Sequence, residues 1–355
     1  MNLSLPSKPD AEVALDLMER WWLRENDERA ILSIGIDTPP LPETKTYHTE
    51  RERWLDFDYR VDRALAEVDR RTYFAETFPF FEPNLGPDIV STLFGLDLEF
   101  HPDTSWGTPI VETVDQVLAI EPNFDAPLWA AVEKLQAMAI EAGRGRWITL
   151  FTDLHPNIDV PSALMGPQDL CMAIADDPEL VEHAVKHVTK GCLAAYERQV
   201  APLVAENLPI GCWMRALSRT RTHAPQCDFS AMVGPAYFER SILPSIREEM
   251  ALAERNIYHL DGPDALRHLD ALLDVPEIDA IQWVYGAGNG PARRWESVYR
   301  QILAAGKGVR VEAEDVEDIR VLDRALGPAG VWYVANFSAP DLEMAEKVLA
   351  ILQTR

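Results

Sequence analysis

The sequence is poor in cysteine, in positive charge and in long apolar runs. Four cysteines, Cys171, Cys192, Cys212 and Cys227, are scattered over 355 residues without a CxxC pair. That excludes a disulfide framework and leaves reduced thiols as the expectation. Lys and Arg total 33 against 58 Asp and Glu, a formal net charge of −25. A chain this acidic repels phosphate backbones and anionic lipid, so neither nucleic acid nor a membrane is expected as a partner. Yet 47% of residues are hydrophobic, too many for a disordered acidic chain. No apolar run is long enough to span a bilayer. The opening MNLSLPSKPDAEVALDLMERWW has no apolar signal-peptide core, so a cytoplasmic location is expected. Glycine-rich phosphate loops are missing too. No GxGxxG follows the first strand and no P-loop is present, which disfavours a nucleotide-binding sheet.

What is present is a rhythm. Residues 11–28 place Ala14, Leu15, Met18, Trp21 and Trp22 at helical spacing, an opening helix whose tryptophans suit a plug. The segment 38–71 is polar and reads as an excursion with a helix. Strand-like runs occupy 30–36, 72–81, 146–153, 208–214, 256–260, 279–284, 308–313 and 330–337. Helical stretches lie between them, notably at 87–95, 126–142, 178–205, 234–255, 263–273, 292–305, 315–326 and 339–353. Eight strand–helix units predict one α/β domain, a single (β/α)8 TIM barrel over 29–355 behind an N-terminal helical extension, 1–28. Such a barrel takes about 250 residues, which the length allows.

In a parallel barrel the chemistry sits at the carboxyl ends of the strands. The strand list therefore becomes a site list: Asp37; Glu82 and Asn84; Asp153, His155 and Asp159; Trp213 and Arg215; Arg219, Arg221, His223, Cys227 and Asp228; His259 and Asp261; Gln282, Trp283 and Tyr285; Glu312 and Glu314; Asn336 and Ser338. His259 and Asp261 stand two apart on a strand, so both face the same way. They can ligate a divalent metal or act as an acid/base couple, with Asp153 a further catalytic candidate. A third ligand is required, and Glu312, Cys227 or Asp228 can supply it; Zn, Fe or Mn suits such donors. Arg215, Arg219 and Arg221 form a local basic cluster fit for an anionic group, unless acidic neighbours consume them. Trp213, Trp283 and Tyr285 can line a pocket, and Asn84, Gln282 and Asn336 add polar contacts to substrate.

YHLDGPDALRHLDALLDVPEIDAIQWVYGAG (258–288) and CDFSAMVGPAYFERSILPSI (227–246), with PNLGP (83–87), EFHPDTSW (99–106) and TDLHPNIDV (152–160), resemble the uroporphyrinogen decarboxylase-like superfamily. The resemblance implies a (β/α)8 barrel and one of two chemistries. One is cofactor-free decarboxylation of uroporphyrinogen or another polycarboxylate. The other is methyl transfer between a methylated substrate and a corrinoid on a separate protein, assisted by zinc held by His-x-Cys and a later Cys. His259 matches that histidine, Asp261 stands at the first cysteine, and no cysteine stands near Asn336–Ser338. An oxygen-rich site of His259, Asp261 and Glu312 is the variant this implies. The decarboxylase's RxxxR follows its first strand, whereas Arg20 and Arg24 here have that spacing before the first strand, on a helix. The expected activity is methyltransferase or demethylase, with a divalent metal (zinc foremost), a corrinoid protein as partner and a homodimeric assembly. The alternatives are the decarboxylase and a non-catalytic small-molecule-binding barrel.

Overall fold

The computed structural model describes residues 3–353. Helix α1 (Ala11–Trp22) forms where the apolar spacing asks for it, and Ala14, Leu15, Met18, Trp21 and Trp22 are all buried. The main strands are β1 (Ile31–Ile36), β2 (Phe80–Phe81), β3 (Ile148–Thr149), β4 (Ile210–Gly211), β5 (Arg255–Asp261), β6 (Ala280–Val284), β7 (Gly308–Ala313) and β8 (Val331–Ala339). β5, β6, β7 and β8 run parallel in chain order, and β8 lies parallel to β1. A last strand beside the first is how a strand–helix sheet curls round on itself.

The expected eight-stranded ring is not continuous among the described residues. β2 and β3 form a separate parallel pair, and β4 turns back antiparallel onto Leu217–Ser218. The interruption beside β1 has a chemical cause. Phe74–Ala75 lies antiparallel there, and side chains then take over the ladder. Glu76 Oε2 accepts from the Leu32 amide at 2.8 Å and Thr77 Oγ1 from the Ile34 amide at 3.0 Å. Arg29 clamps the buried Glu76 carboxylate through two contacts, at 2.6 and 2.9 Å. β1's backbone groups are satisfied, so no neighbouring parallel strand is required. The result is a mixed α/β fold with a mainly parallel central sheet.

The 38–71 excursion contains two helices, Glu50–Leu55 and Phe57–Val68, the first opened by a Thr49/Glu52 capping box. The expected 234–255 helix is broken into a short turn, a wide turn at Phe238–Ile242 and Leu243–Met250.

Strand register sets up the interior. His259 pairs with Gln282, Gln282 with Arg310, and Arg310 with Trp332, one row across β5 to β8. By alternation, Ile281, Trp283, Val309 and Val311 face the helices instead. The floor beneath this row is closed by α1. Trp21 Nε1 donates to the Gly330 carbonyl at 3.0 Å and Trp22 Nε1 to the Leu217 carbonyl at 2.7 Å. Trp21 meets Trp332 edge-on, ring centres 5.2 Å apart. Trp21→Ala empties this fully buried position and is expected to cost about 3–5 kcal/mol of stability, read from urea unfolding midpoints.

Candidate metal and acid–base site

The site begins with the two-residue spacing on β5. His259 and Asp261 project from one face, and Asp228, at the start of a 3-10 turn just after the Gln226–His259 bridge, lies beside them. One donor atom from each of Asp228, His259 and Asp261 lies within 4.8 Å of the others. Asp261 and Asp228 are solvent-accessible, whereas His259 is half-buried.

The row of register partners orients the imidazole. Glu312 is ion-paired with Arg310 at 2.8 Å. It accepts from Gln282 Nε2 at 2.6 Å, which fixes the amide so that Gln282 Oε1 faces His259 Nδ1 at 2.7 Å. An amide oxygen can only accept, so Nδ1 carries the proton and Nε2 presents its lone pair. This is the outer contact by which proteins fix a metal-ligating histidine. Trp213 stands edge-on to His259 at 5.2 Å, and its buried Nε1 has no acceptor among the described residues.

Carboxylates crowd the other side. Asp261 is raised above the usual aspartate range by burial first, with Asp228 adding repulsion and His259 opposing. Among the described residues neither Asp228 nor Asp261 has a Lys or Arg ion pair. Asp159 is buried and accepts from the Asp228 and Phe229 amides at 3.0 and 2.9 Å. Burial, with Asp228 repelling, pushes it up to about 7. His155 bridges the two halves, with Nε2 at 3.0 Å from Asp153 and Nδ1 at 3.6 Å from Asp228. Burial opposes its charge most, but Asp153, Asp228 and Asp159 together outweigh it and push the imidazole up to about 10. Gln226 Nε2 donates to the other Asp153 oxygen at 2.7 Å. Glu82 is pushed up to about 7 by burial, then by Asp153, against the pull of Arg215 and Arg60.

One neutral imidazole nitrogen and two mutually repelling carboxylates form a donor set suited to a divalent cation such as zinc, iron or manganese. Glu312 lies outside that set, because Arg310 and Gln282 hold it one step behind His259. Trp283 is fully buried on the helix side against Trp295, ring centres 5.2 Å apart. It cannot share a pocket with Gln282, since adjacent strand residues face opposite ways. Tyr285 spends its hydroxyl on the Glu312 carbonyl at 3.0 Å. Asn84 is occupied locally, its Oδ1 accepting from the Gly86 amide at 2.6 Å. Asn336 is exposed in a bulge of β8, where Ser33 pairs with Val334 but Gly35 pairs with Ser338. The basic cluster is dispersed: Arg219 binds Glu12 and Asp16 of α1, and Arg221 binds Glu197. Arg310 was not among the expected site residues. Its signal is the alternation in GVRVEA, which puts it on the same face as Glu312.

The chain thus belongs to the mixed α/β class with a polar cluster along a mainly parallel sheet. Its overall fold is similar to that of a methyltransferase from Methanosarcina mazei, with a TM-score of 0.56 over 95% of this chain and 97% of that one. The two sequences are 12% identical, so the likeness is one of fold. No protein-family model matches the sequence, and no curated protein matches it.

Two measurements test this site. Gln282→Leu removes the acceptor of His259 Nδ1 and should weaken zinc binding about 10–100-fold in a chelator competition. Glu82 keeps its proton in the folded chain to about pH 7, whereas the free carboxyl loses it near 4.5. The folded state therefore holds the extra proton in that window, and stability falls as pH rises through it. Glu82→Gln should flatten that fall in urea midpoints measured across the window; an unchanged slope would show the carboxyl is not protonated.

Proposed function

We propose that this chain is a metal-assisted methyltransferase on a (β/α)8-type barrel of the uroporphyrinogen decarboxylase-like kind. The observation that carries the reading is the Asp228–His259–Asp261 cluster, with its imidazole lone pair fixed by Gln282. The fold likeness to a methyltransferase supports it. Asp228, His259 and Asp261 would hold a divalent cation, zinc foremost, in place of the thiolates of the resembled family. Bound there, the cation would act as a Lewis acid on the heteroatom that carries the methyl group. Gln282 keeps His259 in the ligating tautomer. Trp213 donates its free N–H toward substrate beside His259. Asp153, paired with His155, and Glu82 are the groups placed to hold or move a proton. The acceptor is a corrinoid on a separate protein, in a cytoplasmic and homodimeric setting. The decarboxylase alternative loses support because the arginines it needs are not assembled at the strand ends.

The test combines metal and turnover. Purified protein should hold about one zinc, iron or manganese per chain by elemental analysis, one ion being all that a single three-ligand site takes. Asp228→Ala and His259→Ala should lose it. With free cob(I)alamin as acceptor, a panel of O-, S- and N-methylated compounds should give metal-dependent methylcobalamin, read by absorbance. Metal content that survives both substitutions, or no methylcobalamin from the panel, overturns the proposal.

A further inference from the structure

Through the interrupted side of the sheet, between β1 and β2, opens a cleft of about 240 Å3. One wall is aromatic, with Tyr73, Phe78, Phe80 and Trp147; the rest is mixed, with Ser33, Thr77 and the ion-paired Glu67 and Arg71, and Arg215 also lines it. Arg215 is unusual in two independent ways. Its backbone is left-handed, φ 63°, a region that side-chain-bearing residues rarely adopt. Its guanidinium makes no hydrogen bond or ion pair with a protein group among the described residues. Arg215 is exposed and keeps its guanidinium for solvent or a ligand, whereas neighbouring Arg219 and Arg221 are held by carboxylates. The charged and titratable groups that act on it are Glu82, Tyr73 and Arg310.

An exposed guanidinium without a protein partner, beside a cleft with one aromatic wall, fits one ligand chemistry. A planar carboxylate takes two parallel N–H bonds from arginine, and an apolar body fills the walls. Glu82, which acts on Arg215, and Glu67 in the wall disfavour a dianion such as phosphate. The volume falls below the roughly 300–1,000 Å3 of sites for drug-sized ligands, which excludes a tetrapyrrole. We propose that this cleft is a subsite for a small aromatic or branched aliphatic monocarboxylate, with Arg215 as its anchor. The inference stands apart from the metal reading, since none of Asp228, His259 and Asp261 lines this cleft.

The probe is benzoate, with benzamide as its uncharged match, titrated by calorimetry into chelator-stripped protein. Benzoate should bind, and benzamide much less well. Arg215→Asn, which tolerates the left-handed backbone, should weaken benzoate by on the order of tenfold or more, as expected for a lost charged hydrogen bond. Arg215→Lys should recover part of that loss. Ala335→Phe, which narrows the cleft and keeps the arginine, should weaken benzoate as well. Equal benzoate affinity in wild type and Arg215→Asn overturns the inference, as does benzamide binding as tightly as benzoate. Binding only after zinc is restored also overturns it, because the metal is then the anchor. Benzoate binding to a protein that never retains metal leaves this subsite standing and removes the metal reading alone.

Discussion

The Arg310–Glu312 ion pair governs the interior. Burial works against the Arg310 charge, and Glu312 opposes that cost. Having one carboxylate oxygen committed to arginine, Glu312 can only accept, and it sets the Gln282 amide. Gln282 in turn sets the His259 tautomer. Four side chains on three adjacent strands therefore have one consistent arrangement, and each reversal would set donor against donor or acceptor against acceptor. The Arg310 guanidinium also lies 5.0 Å from the Trp332 ring centre, so the chain of contacts stands on the aromatic floor.

The interrupted ladder follows from equally local chemistry. Glu76 and Thr77 satisfy β1 from their side chains, and the sheet has no need of a backbone partner there. A continuous ring would have placed apolar side chains against β1. Instead the chain leaves a cleft, and the two-residue bulge in β8 lies opposite Ile34 on the same wall. Arg29, which holds Glu76 in place, is thus structural for an opening it does not touch.

Much of this was legible in the sequence. The strand–helix rhythm, the parallel order of the last four strands and the shared face of His259 and Asp261 follow from alternation alone. Placement across loops does not. Glu312 was the expected third donor, with Cys227 or Asp228 as alternatives, because strand spacing says nothing about where a loop returns. Trp283 is the reverse case, since the period of two that places Gln282 inside already puts Trp283 outside. Arg219 and Arg221 read as a rim cluster because they follow a strand closely. In fact the chain turns back after Arg215, and acidic groups on α1 and on the helix carrying Glu197 capture them. The short strands β2, β3 and β4 were overestimated because apolar runs outlast the hydrogen-bonded pairs within them.

The tryptophan floor also bears on how the chain acquires its structure. Trp21 bonds to a carbonyl 309 residues away, and Trp22 to one 195 residues away. Contacts of such sequence separation form late, since the intervening chain must be ordered first. Trp21 therefore cannot make its bond to Gly330 until β8 has been synthesised. Until then the Trp332 ring under Arg310 lacks the partner that closes the floor.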